Sequence, residues 1–148
     1  MSNSGEAVTI VMIEDDEGHA RLIEKNLRRA AVFNELQHFV DGTSALDFLS
    51  KFRTNGPRPL LVLLDLNLPD MTGTDILAKL KADDHLKCTP VIVLTTTDDQ
   101  REIQRCYELG CSVYITKPVN YESFAEAIRQ LGLFLAVISV PEVAGEKS

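Results

Sequence analysis

The chain has 148 residues, 45% of them hydrophobic, which is enough to bury one sizeable core and too little for two ordinary domains. Its 22 acidic against 15 basic side chains leave a formal charge of -7, which argues against nucleic acid or an anionic membrane surface as a partner. No apolar run approaches the roughly 20 residues of a membrane span, residues 1–7 lack the pattern of a secretory signal, and Cys88, Cys106 and Cys111 form no C-x-x-C pair, so a cytoplasmic protein with neither a disulfide framework nor a zinc site is expected, its three thiols buried or half-buried.

After a flexible start over residues 1–7, Val8 to Ile13 is a short, continuous apolar run, the pattern of a strand buried on both faces. It ends in Glu14-Asp15-Asp16. The spacing from Asp16 to Ala31 predicts a helix with Leu22, Ile23, Leu27 and Ala30 as its apolar stripe and Arg21, Glu24, Lys25 and Arg28 as its wet face. Glu35 to Val40 mixes polar and apolar residues, as a strand at a sheet margin does, and Thr43 to Phe52 returns to helical spacing. Beyond the punctuation of Pro57 and Pro59, Leu60 to Leu64 is a second fully apolar strand, and Asp65 follows it directly. A helix over Thr74 to Ala82 precedes the apolar strand Pro90 to Leu94, which ends in Thr95-Thr96-Thr97. Asp98 or Asp99 can start the next helix, Gln100 to Leu109, and Gly110 can stop it. Ser112 to Thr116 is a second marginal strand, ending in Lys117-Pro118, and Tyr121 to Leu131 is the last predicted helix.

Strict alternation of strand and helix with right-handed crossovers predicts an α/β fold, a three-layer doubly wound (βα)5 parallel sheet. In the flavodoxin-like strand order 2-1-3-4-5 the outer strands are the second and fifth, the two marginal ones here. Ligands in such sheets bind beyond the carboxyl ends of the strands, where strand order reverses. That rim carries Glu14, Asp15, Asp65, Thr95 and Lys117. Three carboxylates converging there repel unless protonated or bound to a cation, and a hard divalent ion such as Mg²⁺ suits them. Lys117 adds a flexible positive charge and Thr95 a small hydroxyl. A proline after Lys117 also makes a cis peptide accessible. Together they suit an aspartate nucleophile that captures a phosphoryl group while metal and lysine neutralise its oxygens.

The apolar run ending in Glu14-Asp15, the segment Leu63-Leu-Asp65-Leu-Asn67-Leu-Pro69-Asp70-Met-Thr-Gly73, Val93-Leu-Thr95-Thr96 and Tyr114-Ile-Thr-Lys117-Pro118 resemble the receiver domain of two-component response regulators, of the CheY-like type, over about Thr9 to Leu131. The resemblance implies that Asp65 is the phosphoacceptor and that Glu14, Asp15, Asp65 and the Asn67 main-chain carbonyl bind Mg²⁺. It also implies that Lys117 contacts the phosphoryl group, that Thr95 turns inward to bond it, and that Tyr114 follows by changing rotamer, remodelling the surface of the fourth helix, fifth strand and fifth helix. The donor would be a phosphohistidine of a sensor histidine kinase, and the chain an acceptor rather than a turnover catalyst. Glu14 and Asp15 are the expected metal pair because they follow the strand at once, leaving Asp16 as a helix cap.

The expected receiver spans residues 8–132, followed by an apolar arm and tail over 133–148. Leu131 to Val140 is too short to cross a membrane and too apolar for a free tail, so burial in a homodimer through the fourth helix, fifth strand and fifth helix is expected, the alternative being a longer last helix packed on its own sheet. This extension and the Leu94-Thr-Thr-Thr-Asp-Asp99 run are similar to the small stand-alone regulators paired with bacterial and cyanobacterial phytochrome kinases. The two rival readings, a flavodoxin-like carrier and an aspartate-nucleophile phosphatase, fit less well: the first needs a phosphate cradle where this chain has Glu14-Asp15-Asp16-Glu17, the second an acid/base aspartate where it has Asn67.

Overall fold

The computed structural model describes residues 8–29, 31–54 and 60–117, with Glu122 and Glu126, both helical. The expected N-terminal tail, Pro118, most of the last predicted helix and the apolar arm with its dimer contacts lie outside the described residues. In chain order the elements are β1 (Thr9–Ile13), α1 (Glu17–Arg29), β2 (Leu36–Phe39), α2 (Gly42–Thr54), β3 (Leu60–Leu64), α3 (Gly73–Ala82), β4 (Val91–Thr95), α4 (Gln100–Leu109) and β5 (Val113–Thr116). The five strands form one parallel sheet in the order β2-β1-β3-β4-β5.

The three apolar runs occupy the centre because side chains on both their faces need cover: every residue of β1, β3 and β4 is buried, whereas none of β2 or β5 is fully so. Successive residues point to opposite faces and feed two cores. Val11, Ile13, Val62, Leu64 and Val93 meet Ala45 and Leu49 of α2, Ile76, Leu77 and Leu80 of α3, and Cys106 of α4. Ile10, Met12, Leu61, Leu63, Ile92 and Leu94 share the opposite core with Ala20, Ile23 and Leu27 of α1.

Helix ends are set by short side chains. Asp16 Oδ1 accepts from His19 N at 2.9 Å, the cap expected of that residue. Thr72 accepts from Asp75 N and Asp99 from Arg101 N. Two details differ from the sequence reading. Leu22, expected in the buried stripe of α1, is 46% exposed, because the helix turns Ala20, Ile23, Asn26 and Leu27 inward. Cys88, expected to be at least half-buried, is exposed in the α3–β4 connection, while Cys106 and Cys111 are buried.

Candidate functional site

Backbone ladders extend past the strand ends and fix the rim. Glu14 N donates to Phe39 O at 2.9 Å, Asp65 N to Ile13 O at 3.0 Å, and Lys117 N to Thr95 O at 2.6 Å. The residues after β1, β3 and β5 are thereby held in register with the neighbouring strands, on either side of the point where strand order reverses.

Glu14 and Asp65 are buried at this rim, only 2% and 5% exposed, and Lys117 at 7% lies between them. Its Nζ donates to Glu14 Oε1 at 2.6 Å and to Asp65 Oδ2 at 3.4 Å. A third contact, of 3.0 Å, runs to His19 Nδ1, where an ammonium can only donate. Burial pushes the Glu14 carboxyl up from the ordinary range despite the Lys117 bond, and the nearby Asp65 charge adds to the rise.

Asp15 is exposed at the mouth, and ligand atoms of Glu14, Asp15 and Asp65 all lie within 4.8 Å of one another. One ammonium facing three carboxylates leaves net negative charge in a partly buried place. That oxygen-only donor set fits a hard divalent cation, which takes one or two carboxylates and fills its shell with water and substrate oxygens. The other register that Glu14-Asp15-Asp16 allows, with Asp15 and Asp16 as the metal pair, is disfavoured because Asp16 Oδ1 is engaged in capping α1.

Asn67 N donates to Asp65 Oδ1 at 3.2 Å, while its side-chain Nδ2 donates to Thr95 Oγ1 at 3.4 Å. Thr95 is fully buried at the end of β4. Tyr114, on β5, is half-buried, and its hydroxyl donates to Thr97 O at 2.8 Å. Burial pushes that phenol well above its ordinary value. The structure thus brings together Glu14, Asp15, Asp65, Asn67, Thr95 and Lys117, and places Tyr114 one loop away.

The sequence reading missed three participants. His19 meets Lys117 from the first turn of α1; its nearness to the acidic turn was the available signal. His38 Nε2 donates to Glu14 O at 2.7 Å, fastening β2 to the acidic turn. Asp70 caps α2 from 28 residues away, accepting from Gly42 N at 2.9 Å and from the Thr43 amide and hydroxyl. Those bonds hold its carboxyl down at about 2 and tie the loop after Asp65 to the start of α2.

A model of the response regulator receiver domain matches residues 10–129. Response regulator Rcp1 of Synechocystis is 35% identical over 135 residues, covering 89% of this chain and 92% of the relative, and a crystal structure of its Mn²⁺-bound form superposes with a TM-score of 0.71 over 84% of this chain and 91% of the other. A receiver domain from Rhodospirillum rubrum is 68% identical, with a TM-score of 0.76 over 88% of this chain and 94% of that one. The phosphorylated cyanobacterial phytochrome response regulator RcpA is 34% identical, with a TM-score of 0.73 over 87% and 94%.

Proposed function

We propose, from the premise that this chain belongs to the response regulator receiver domain family, that Asp65 is the residue on which it accepts a phosphoryl group. Receiver domains of this family act in two-component signalling with sensor histidine kinases, and the phosphorylated crystal form of the relative RcpA supports the reading. The observation that carries the assignment is Lys117 Nζ set between Glu14 and Asp65 at 2.6 and 3.4 Å, at the mouth of β1 and β3.

In the transfer, a carboxylate oxygen of Asp65 forms the new P–O bond as the P–N bond of the donor phosphohistidine breaks. The leaving imidazole keeps the electron pair and takes up a proton. Glu14, Asp15, Asp65 and the Asn67 main-chain carbonyl would hold a Mg²⁺ ion. When bound, the ion supplies charge neutralisation to the phosphoryl oxygens. Lys117 contributes a second positive charge on the side of Asp65 Oδ2, where those oxygens gather. Because Lys117 also bridges Glu14, accepting a phosphoryl group redistributes an ion pair already in place.

Thr95 is buried within reach of the Asn67 amide, and its hydroxyl can turn to donate to a phosphoryl oxygen. Tyr114 is latched to the Thr97 carbonyl, so movement of the loop after β4 reaches β5 and α4 through that bond. A kinase of the phytochrome class is the proposed donor, supported by the similarity to Rcp1 and to the phytochrome regulator RcpA. No helix among the described residues is long and apolar enough to cross a membrane.

Incubation with acetyl phosphate and Mg²⁺ followed by intact mass spectrometry tests the assignment. The wild type should gain one phosphoryl mass and Asp65→Ala none. A phosphoryl mass on Asp65→Ala, or none on folded wild type, overturns it.

A further inference from the structure

Two buried thiols that the phosphoryl chemistry leaves unused lie five residues apart at the C-terminal end of α4. The helix stops on Gly110, whose φ of 112° is the left-handed conformation, and its last amides close a double bond pattern: Gly110 N donates to Tyr107 O at 3.0 Å and Cys111 N to Cys106 O at 3.0 Å. In this termination the residue two past the last helical one and the residue five before it bring their side chains together. Those two residues are Cys111 and Cys106. Both lie in one apolar cluster, 7% and 0% exposed.

The hydrogen bond also bounds their separation. With standard backbone dimensions, a 3.0 Å link from the amide of one to the carbonyl oxygen of the other caps the Cα–Cα distance at about 7 Å, and any bend at either atom shortens it. Disulfides need about 4.4–6.8 Å and side chains that converge. Cys111 lies close enough to Cys106 for a charge there to raise its thiol, and the Tyr114 phenol senses both.

We propose that Cys106 and Cys111 form a dithiol that a hydroperoxide or other two-electron oxidant closes into a disulfide, a modification site on the α4–β5 face. Each sulfur loses its hydrogen and the S–S bond forms. The two electrons and two protons pass to the oxidant, a peroxide leaving as water. The bond ties the last turn of α4 to the residue that leads into β5, beside Tyr114. It makes no use of Asp65, so it stands apart from the phosphoryl reading. Burial pushes both thiols up to about 11, so closure is slow near neutral pH and should accelerate about tenfold per pH unit while the thiolate remains scarce.

The test uses the full chain carrying Cys88→Ser, because Cys88 is exposed and would cross-link between molecules. The protein is treated with hydrogen peroxide, unfolded, alkylated and digested with trypsin. Cleavage after Arg105 leaves both cysteines on one peptide that begins at Cys106. The expected peptide is two hydrogens lighter and takes no alkyl group, and it regains two alkylation sites after reduction. The same chain with Cys106→Ala should never show the two-hydrogen loss. A folded chain whose peptide keeps two alkylatable thiols, while the same chain unfolded in denaturant has closed its pair, overturns the proposal. So does stepwise oxygen addition to either sulfur in place of the hydrogen loss.

Discussion

Burial outweighs attraction at Glu14: its carboxyl sits above the ordinary range even though the Lys117 ammonium is 2.6 Å away. The folded chain therefore keeps that proton to a higher pH than the unfolded chain does. Its contribution to stability is fully present below the ordinary carboxylate value and is lost as pH rises through the raised one. Glu14→Gln has no such proton to lose. Denaturant titrations without divalent ions should show the variant gaining on the wild type as pH rises across that window and holding a constant lead above it. Parallel pH profiles would show that Glu14 titrates in the folded state as it does in water. His19 could not be read as a neighbour of Lys117 from the sequence for a reason at this same scale: 98 residues separate them, and only the return of β5 beside β4 brings the lysine back over the first turn of α1.

At the scale of elements, local signals were read well where one residue decides an outcome, and poorly where phase or distance does. Gln100–Leu109 was bounded correctly because Asp99 and Gly110 act on their own helix. Leu22 was misassigned because helix phase is shared: the buried face of α1 also takes small Ala20 and polar Asn26, which carry no apolar signal. The cap of α2 was invisible because Asp70 reaches it across 28 residues. Two glycines test how tightly the elements are set. A Cβ on Gly73 would stand 2.4 Å from Asp65 O and 2.7 Å from Leu66 Cα, backbone atoms that can yield only if α3 moves away from the site. Gly73→Ala should cost about 1–3 kcal/mol in denaturant unfolding and also slow phosphorylation by acetyl phosphate; a variant of wild-type stability and rate would mean that α3 has slack. Gly110→Ala instead meets a φ of 112° and only the flexible stem of Lys81 at 3.3 Å, so the cost is the left-handed backbone, about 1–2 kcal/mol. Its phosphorylation rate should be unchanged, which separates a remote helix end from one that abuts Asp65.

For the molecule as a whole, the sheet order was legible because burial itself ranks the strands, the continuous apolar runs taking the centre and the mixed ones the margins. The site was legible because that order places the ends of β1 and β3 side by side. What the sequence does not display is how far the excess of charge there is buried, with Glu14, Asp65 and Lys117 closed off from solvent beside the exposed Asp15. A cation that relieves this excess binds the folded chain and not the unfolded one, whose carboxylates are dispersed. Mg²⁺ at a hundred times its dissociation constant should then add about 2.7 kcal/mol to stability, a rise in melting temperature of about 10 °C for a domain of this size. A chelator should reverse it. Glu14→Gln and Asp65→Asn each remove one negative ligand, so both should show a smaller shift at the same Mg²⁺ concentration, while a substitution of an exposed carboxylate far from the rim, such as Glu108→Gln, should show the full one. Equal shifts in all four proteins would place the ion elsewhere on the acidic surface and leave the crowded carboxylates of β1 and β3 to be neutralised by Lys117 and protons alone.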